Sequence, residues 1–483
     1  MAKLSQIARV VIELSTASIA KASFGIPMII GASTADVWKN ADGSYSYTRI
    51  YTDLAAAVID KLEDRFMVAL KEAFAQTPRI ERVMVGRLVP AEATFQADST
   101  VADATTKKYP VGTIFEVTVN GVQVQYTSVA DDTAKEVGHG LYLAANSNTT
   151  LTANYNFSED TTNTAITIVK VMPKVTAAGA PSVSSAQNVV VTAGAIKPDD
   201  IDKGLTLINS ESGIWYGFSI LDRTPAIVLA AADWAESAET PTGSAGAGTP
   251  KQFFTASGDP AIWTTPVSSS ATDVLSQLSR KQYLRTSLIA HKKADVEYPE
   301  VAWQAKVYTA DPGSVIFGLK VLSSITPSVF TPGEQAIIWA KNGNTYEQYA
   351  DNTYLINKGK TVSGEWVDIV RDRDWLIDYI QKSVASAMIR RKKIPYTNTG
   401  IQIIVNVLQG CLRYAQQIGV LAPDERNADG ETVPGFVISY PNAANVSADV
   451  KASRTLQISF VGLLAGAIQL TDIQGVLAYS YGE

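Results

Sequence analysis

The sequence predicts an α+β multidomain protein: an α/β layer plus a C-terminal α/β core, with an all-β insertion domain and strand-like terminal arms. Three observations support this. The 483 residues exceed what one hydrophobic core sustains. Strand and helix patterns alternate from residue 201 onward. Residues 89–200 instead show strand periods with almost no helical period.

The composition excludes several functional classes. Lys plus Arg number 41 against 47 Asp plus Glu, so the net charge of -6 excludes the broadly basic surface of a general nucleic-acid binder. The net charge does not exclude local basic patches. The single cysteine permits no internal disulfide, and with two histidines there is no Cys/His zinc cluster. No signal peptide and no membrane-length apolar run is present, so we expect a soluble protein folded in a reducing cytoplasm.

The chain begins with a segment that has strand character. Residues 7–14 alternate as a half-buried strand, with Val10, Ile12 and Leu14 on one face. No neighbouring hairpin signal offers this strand a partner. We therefore treat residues 1–20 as an N-terminal arm.

A strand-helix-strand element follows the arm. Residues 24–31 form an apolar run typical of a buried strand, and residues 80–88 form a second strand. Between them, large apolar residues recur every fourth position over 52–76, which predicts one helix.

Residues 89–200 differ in composition from the rest. They contain seventeen threonines, no tryptophan, and six Lys/Arg against eleven Asp/Glu. The clearest local signal is a hairpin over 113–127, because Asn120-Gly121 suits a two-residue turn with positive φ at both positions. That register places three apolar pairs on one face: Val119 with Val122, Val117 with Val124, and Phe115 with Tyr126.

The middle of the chain alternates between strands and helices, which predicts an α/β layer with right-handed crossovers. The predicted strands are 213–221, 251–257, 284–291 and 314–322, and the predicted helices are 224–237, 271–282 and 299–310.

The last third begins with a predicted strand over 364–371. Two helices follow over about 372–393 and 399–419, then strands over 434–440 and 454–469. A second terminal strand places Ile473, Leu477 and Tyr479 on one face, so residues 471–483 are predicted to be a C-terminal arm.

The sequence offers no catalytic constellation. Nucleotide-binding glycine motifs and a nucleophile elbow are absent, and the glycines at 243–248 suit a flexible loop. We expect His139 and His291 to be surface histidines without a nucleophile nearby. Cys411 lies on the apolar side of a helix, where a thiol acts as a small hydrophobe.

Charged residues cluster around the first C-terminal helix. Asp368, Asp372, Asp374 and Asp378 alternate with arginines, which indicates ion pairing rather than a paired-acid active site. Arg390, Arg391, Lys392 and Lys393 close the helix, where cations complement the negative end of the helix dipole or meet an acidic partner.

The two terminal strands need an explanation, because an unpaired strand leaves its main-chain groups open. They can pair internally, which composition alone favours modestly. They can also pair between chains, and a chain with an arm at each end would build an open lattice.

An ordered set of segments resembles the contractile tail sheath proteins of myophages. These segments are FGIPMIIG, YSYTRIYTDLAAAV, PRIERVMVGR, ADWAES, FFTASGDPAIW, PEVAWQAKV, GEWVDIVRDRDWLIDYIQ and KIPYTNTGI. They extend from about residue 24 to residue 410, apart from the insertion. Each segment is structural rather than catalytic, and the specificity lies in their order.

The resemblance implies a structural subunit of stacked hexameric rings around a tail tube, which contract to drive the tube through the host envelope. It implies an inner core sheath domain from 21–88 with 360–470, a surface insertion domain at 89–200 and a middle domain at 201–359. Terminal arms would add strands to neighbouring subunits.

The strand donors would then be the apolar faces of the two arms. The acceptor would be a C-terminal sheet that includes Trp366 to Val370, so Trp366, Val367, Asp368 and Ile369 are expected at the subunit interface. Residues 390–393 are candidates for contacting an acidic tube surface.

The resemblance also implies the partners: further copies of the chain, the tail tube protein, and baseplate and tail terminator proteins. No enzyme activity, cofactor, direct nucleic-acid binding or membrane insertion is expected. The protein would be located in the virion tail and assembled in the host cytoplasm.

Two alternatives come from other classes. One is an α/β enzyme with an accessory β domain and an unknown small-molecule substrate, whose catalytic group would lie in a cleft of the 201–330 layer. The other is another virion component, such as a baseplate protein, which ring stoichiometry would distinguish from a sheath.

Overall fold

The computed structural model describes residues 24–33, 36–42, 44–88, 93–153, 155–173, 181, 183–192, 196–237 and 250–471. The chain divides into two compact units. We call the described residues within 24–311 and 315–370 the sheet unit, and residues 312–314 and 371–471 the C-terminal unit. The terminal donor faces lie outside the described residues: Val10, Ile12, Leu14, Ile473, Leu477 and Tyr479.

The sheet unit opens with β1 (Pro27–Ala32), β2 (Thr48–Tyr51), α1 (Leu54–Ile59), α2 (Asp64–Phe74) and β3 (Val83–Leu88). The single helix predicted over 52–76 is two helices. Lys61 adopts a left-handed backbone with φ of 51°, which ends α1 and separates it from α2. The side chain of Asp53 begins α1 by accepting the Ala56 N–H at 2.8 Å.

The described residues of the insertion form these strands and α-helices: β4 (Ala93–Ala97), β5 (Ile114–Val119), β6 (Val122–Thr127), α3 (Ala134–Ser147), α4 (Thr149–Thr152), β7 (Tyr155–Asp160), β8 (Ile168–Pro173), β9 (Val183–Gln187) and β10 (Val189–Thr192). Its strands form a sheet of order β10-β4-β8-β7 and a sheet of order β6-β5-β9. Residues of both sheets share one hydrophobic core with α3.

The predicted Asn120-Gly121 hairpin is confirmed. The two turn residues have φ of 47° and 76°, and all three predicted apolar pairs are in register between β5 and β6.

The prediction of an all-β insertion is wrong, because α3 spans 14 residues. Thr133 and Glu136 form a capping box at its start. Gly138 and Gly140 let α3 approach the sheets, since a Cβ there would lie 2.3 Å from the Thr167 carbonyl oxygen and 2.3 Å from the Tyr126 ring. Glycines and flanking threonines are poor helix formers, so packing rather than local propensity makes this helix.

The middle of the chain adds eleven elements: α5 (Pro198–Glu211), β11 (Gly217–Ile220), α6 (Pro225–Ser237), β12 (Gln252–Ser257), α7 (Ala261–Thr264), α8 (Val274–Lys281), β13 (Thr286–Ala290), α9 (Pro299–Val307), α10 (Pro332–Ala340), β14 (Asn344–Ala350) and β15 (Thr353–Ile356). The strand predicted over 314–322 is wrong. Leu319 has φ of 55°, which an extended strand does not accommodate.

One sheet of eight strands organises the unit, in the order β15-β14-β13-β12-β11-β1-β3-β2. The strands from β3 to β14 are parallel, and the edge strands β2 and β15 are antiparallel. Helices α5, α6 and α8 share a buried core with β1, β11, β12 and β13. Residues 27–88 thus share their sheet with 217–356, which differs from the expected grouping of 21–88 with 360–470, because β1 pairs in parallel with β3 on one side and with β11 on the other.

The C-terminal unit contains helices and two small sheets. Its elements are α11 (Val367–Ile389, which begins within the sheet unit), α12 (Asn398–Gln417), β16 (Glu425–Arg426), β17 (Thr432–Val433), β18 (Phe436–Ser439), α13 (Ala448–Ala452) and β19 (Ser459–Gly462). A core of Leu376, Leu408, Leu412 and Ala415 joins α11 to α12.

Two of the predicted C-terminal strands differ from the elements that the structure has. The strand predicted over 364–371 is wrong, because α11 begins at Val367. Val367 and Val370 are both buried, and their spacing of three is helical rather than that of one strand face. The strand predicted over 454–469 is shortened to β19, whereas β18 confirms the strand predicted over 434–440.

Candidate assembly surfaces

The segment expected to accept a neighbour's strand is helical from Val367 onward. The Val367 N–H donates to the Gly359 carbonyl at 3.1 Å, and its own carbonyl accepts from the Gln252 side chain at 3.1 Å. Burial raises the pKa of Asp368 to about 6. From Val367 the backbone follows the helical path of α11, so successive residues do not present the alternating main-chain groups that an added strand pairs with. The prediction of a strand acceptor at Trp366 to Val370 is therefore wrong.

An open two-stranded sheet lies further along the C-terminal unit. Strands β18 and β19 pair antiparallel, with Phe436 opposite Gly462 and Ser439 opposite Ser459. In the described part of the chain each strand has only the other as a neighbour. Alternate residues of each strand therefore turn N–H and C=O groups toward an unpaired edge.

The two faces of this sheet differ. Phe436 and Ile438 are partly buried against the α11–α12 core. Val437 and Val461 lie on the other face, with 56% and 70% of their surface exposed. Leu463 and Leu464, directly after β19, are also exposed. A two-stranded sheet with one apolar face uncovered is marginal by itself, and further strands or a covering surface would stabilise it.

A basic segment follows α11. All four residues from Arg390 to Lys393 are exposed, and the guanidinium of Arg391 donates to the Ala387 carbonyl at 3.2 Å, at the end of the helix. Met388 and Ile389, immediately before them, are 57% and 74% exposed. The segment therefore combines four cations with two uncovered apolar side chains.

Two acidic residues of α11 form ion pairs, as the pattern predicts, whereas the buried Oδ1 of Asp368 has no hydrogen-bond partner among the described residues. Asp378 pairs with Lys382 at 2.7 Å, and Asp374 with Arg373 at 3.4 Å. Asp372 accepts the Gly313 N–H at 2.7 Å within the C-terminal unit.

The two histidines differ in burial. His139 is exposed on α3, where it contacts Glu159 at 2.8 Å, as predicted for a surface histidine. His291 is fully buried, so the surface prediction is wrong there. Its Nε2 lies 3.0 Å from Glu297 and its Nδ1 3.0 Å from Ser328, which satisfies the ring, and burial lowers its pKa. Strand β13 ends at Ala290, one residue before His291, and this end of the strand lies in the interior of the protein. The strand pattern in the sequence therefore did not reveal that His291 is buried.

Cys411 is buried in α12 as predicted, and burial raises the pKa of its thiol. Among the described residues no group of three or more His, Cys, Asp or Glu side chains could hold a metal ion. None of the described helices is both long and apolar enough to cross a membrane.

Comparisons with known proteins bear on the chain's family. Residues 367–476 match the family model described as "E217 tail sheath protein gp31-like, C-terminal domain". A comparison with curated protein sequences gives no match.

Two solved structures are similar over nearly the whole chain. A chain of the anti-feeding prophage helical sheath in its contracted state has a TM-score of 0.51 and 10% identity, over 97% of this chain and 98% of that one. A chain of the anti-feeding prophage baseplate in its contracted state has a TM-score of 0.52 and 11% identity, over 99% of this chain and 100% of that one. The resemblance to the tail sheath family is confirmed: residues 367–476 match its C-terminal domain, and the mixed α/β fold is similar to that of contractile sheath assemblies.

Proposed function

We propose that the protein is the structural subunit of a contractile tail sheath. It polymerises as stacked hexameric rings around the tail tube and contracts to drive the tube through the host envelope. The match of residues 367–476 to a tail sheath domain is the observation that carries this proposal. The protein acts mechanically and not as an enzyme, and it is located in the tail of the particle after assembly in the host cytoplasm.

Strand exchange links the subunits. The open β18–β19 sheet supports this, because within the described residues both of its edges lack a partner strand, and because Val437 and Val461 are exposed. An arm of a neighbouring subunit, carrying Val10, Ile12 and Leu14 or Ile473, Leu477 and Tyr479, adds a strand to one edge. Main-chain hydrogen bonds supply affinity, and the alternating apolar side chains fix the register. The acceptor is therefore β18–β19 instead of residues 366–370.

The basic segment contacts the tube. Residues 390–393 present four exposed cations beside Met388 and Ile389, which suits an acidic partner surface with an apolar centre. In the assembly the C-terminal unit forms the layer nearest the tube, and the insertion at 89–200 is carried outward. The ends of the sheath meet baseplate and tail terminator proteins.

Contraction needs no active site. Subunits exchange one set of lateral contacts for another that buries more surface, and the strand ladders of the arms persist as hinges during the change. Free energy comes from the difference in buried contacts between the two arrangements.

Negative-stain electron microscopy of the purified protein, alone and at raised concentration, tests the proposal. We expect long, hollow, striated tubes with sixfold rings, because a lattice former needs no second component. Uniform monomers at all concentrations, or small closed oligomers, would contradict it. Closed rings that never stack would instead favour the baseplate alternative.

A further inference from the structure

The contact between α2 and α9 in the sheet unit is built around buried carboxyl groups. Glu72 of α2 is 4% exposed, and Glu300 of α9 is fully buried. The Tyr298 N–H, at the residue that precedes α9, donates to Glu72 Oε2 at 2.7 Å. A carboxyl group from one helix therefore caps the beginning of another.

The guanidinium group of Arg223 lies in this cluster, and it is hydrogen-bonded to groups other than Glu72. Arg223, just after β11, donates to both carboxylate oxygens of Glu300 at 3.1 and 3.2 Å. It also donates to the main-chain carbonyls of Glu297 and Ala294, and its plane lies 4.4 Å from the Tyr298 ring centre. None of its hydrogen bonds goes to Glu72.

A third carboxyl group lies in the same cluster. Glu297 contacts the buried His291 at 3.0 Å and accepts from the Thr326 N–H at 2.9 Å and hydroxyl at 2.6 Å. The charged and titratable groups facing Glu72 are thus Glu297 and Glu300 on the α9 side and Arg223 at the end of β11, with His291 and Lys293 beyond Glu297.

The charges in this cluster do not balance when all carboxyl groups are ionised. Glu72, Glu297 and Glu300 would carry three negative charges against the permanent positive charges of Arg223 and of the more distant Lys293. An isolated buried charge is costly, and a buried carboxyl group relieves that cost by taking up a proton. In agreement, burial and the neighbouring Glu300 and Glu297 raise the pKa of Glu72 to about 8, against the lowering effect of the Tyr298 hydrogen bond.

We propose that the α2–α9 contact is a proton-dependent latch, in which a proton on the Glu72 carboxyl group holds α2 against the start of α9. The latch is a property of the single subunit and does not depend on the proposed sheath function. Because the closed state binds this proton more tightly than the opened state, closure is strongest at acidic pH. It weakens as the pH rises through neutrality, and it stops changing above about pH 8.

Hydrogen exchange of the full-length protein between pH 5.5 and 8.5 tests the latch, with rates corrected for the intrinsic pH dependence of exchange. In the wild type, the opening constant of amides in α2 should rise by about tenfold per pH unit up to pH 7.5. In Glu72→Gln, whose side-chain oxygen can still accept the Tyr298 N–H, it should stay flat. The exposed Glu81→Gln serves as the matched control and should behave as the wild type does.

Two outcomes overturn the latch. One is a Glu72→Gln profile as steep as that of the wild type. The other is a wild-type opening constant of α2 that changes with pH no more than the opening constant of α12, a helix of the C-terminal unit. This second measurement uses the wild type alone, so it applies even if the variant does not fold.

Discussion

Val437 and Val461 lie directly opposite each other in the β18–β19 pair, and both side chains face solvent. An apolar cross-strand pair normally contributes to a covered sheet face. Here none of the described residues covers the pair, which fits a face that a neighbouring subunit covers in the proposed assembly. This relationship leads to the first prediction.

Replacing Val437 by lysine and Val461 by glutamate should abolish polymerisation and leave the subunit folded, because opposite charges directly across a strand pair do not repel each other. Exposed positions away from caps and cores usually change the free energy of unfolding by less than about 0.5 kcal/mol, so the melting temperature should be nearly unchanged. Electron microscopy and thermal unfolding measure the two effects. Val111→Asp, at an exposed valine of the insertion, is the control and should still form tubes. Normal tubes from the double variant would refute an assembly role for this face.

Deleting residues 1–15 should give a folded, soluble subunit that cannot form sheath. The deletion removes the donor face of Val10, Ile12 and Leu14 and leaves the eight-stranded sheet, which begins at Pro27, intact. Size-exclusion chromatography with electron microscopy reports the loss. A truncated chain that assembles as the wild type does would show that the N-terminal arm is not a strand donor.

Changing Arg390, Arg391, Lys392 and Lys393 to glutamine should weaken binding to tail tubes, and the salt dependence of binding should fall with the lost charges. Co-sedimentation with tubes at increasing salt measures this. A matched variant that neutralises four other exposed cations, Arg82, Lys107, Lys135 and Lys203, should bind normally. Equal binding of both variants would argue against a tube contact at residues 390–393.

Lys251 should make stability increase with pH above neutrality. Its Nζ is buried, donates to the Gly213 carbonyl at 2.9 Å and to that of Trp215, and lies 4.0 Å from the Trp215 ring centre. Burial lowers its pKa to about 7. The unfolded state then binds one more proton than the folded state between pH 7 and about 10.5, so stability rises with pH over that window.

Lys251→Met should remove this rise, which chemical denaturation at a series of pH values would measure. The wild type should gain up to about 1.4 kcal/mol per pH unit within the window, relative to the variant. Parallel pH profiles of the two proteins would show that Lys251 is not the responsible group.

Two glycine-to-alanine changes in helices should act in opposite directions. Gly140→Ala in α3 would place a Cβ 2.3 Å from the Tyr126 ring, and overpacking of this kind costs about 1–3 kcal/mol. Gly410→Ala in α12 meets no atom within 4 Å and should stabilise by roughly 0.5–1 kcal/mol, because alanine is the better helix former. Denaturant unfolding of both variants gives the signs. Destabilisation by Gly410→Ala would contradict the open surroundings of that position.

Local patterns in the sequence predicted the structure correctly wherever the residues of one short segment determine its conformation. The Asn120-Gly121 turn accepts positive φ at both positions, so the hairpin and its register followed from the residues alone. The helices α6, α9 and α12 were likewise predicted from the local sequence, and the buried thiol of Cys411 followed from its helix face. The ordered motifs also indicate the tail sheath family from the sequence alone.

The tertiary structure decided what depends on distant neighbours. Helix α3 forms because Gly138 and Gly140 allow it to pack closely on Thr167 and Tyr126, contacts that no local pattern reveals. Residues 364–371 alternate like a strand, yet burial of Val367 and Val370 at helical spacing makes the chain helical from Val367. The candidate strand acceptor, β18–β19, also depends on the tertiary structure. An open edge is defined by which strands lack a neighbour, and strand pairing is a long-range property of the fold.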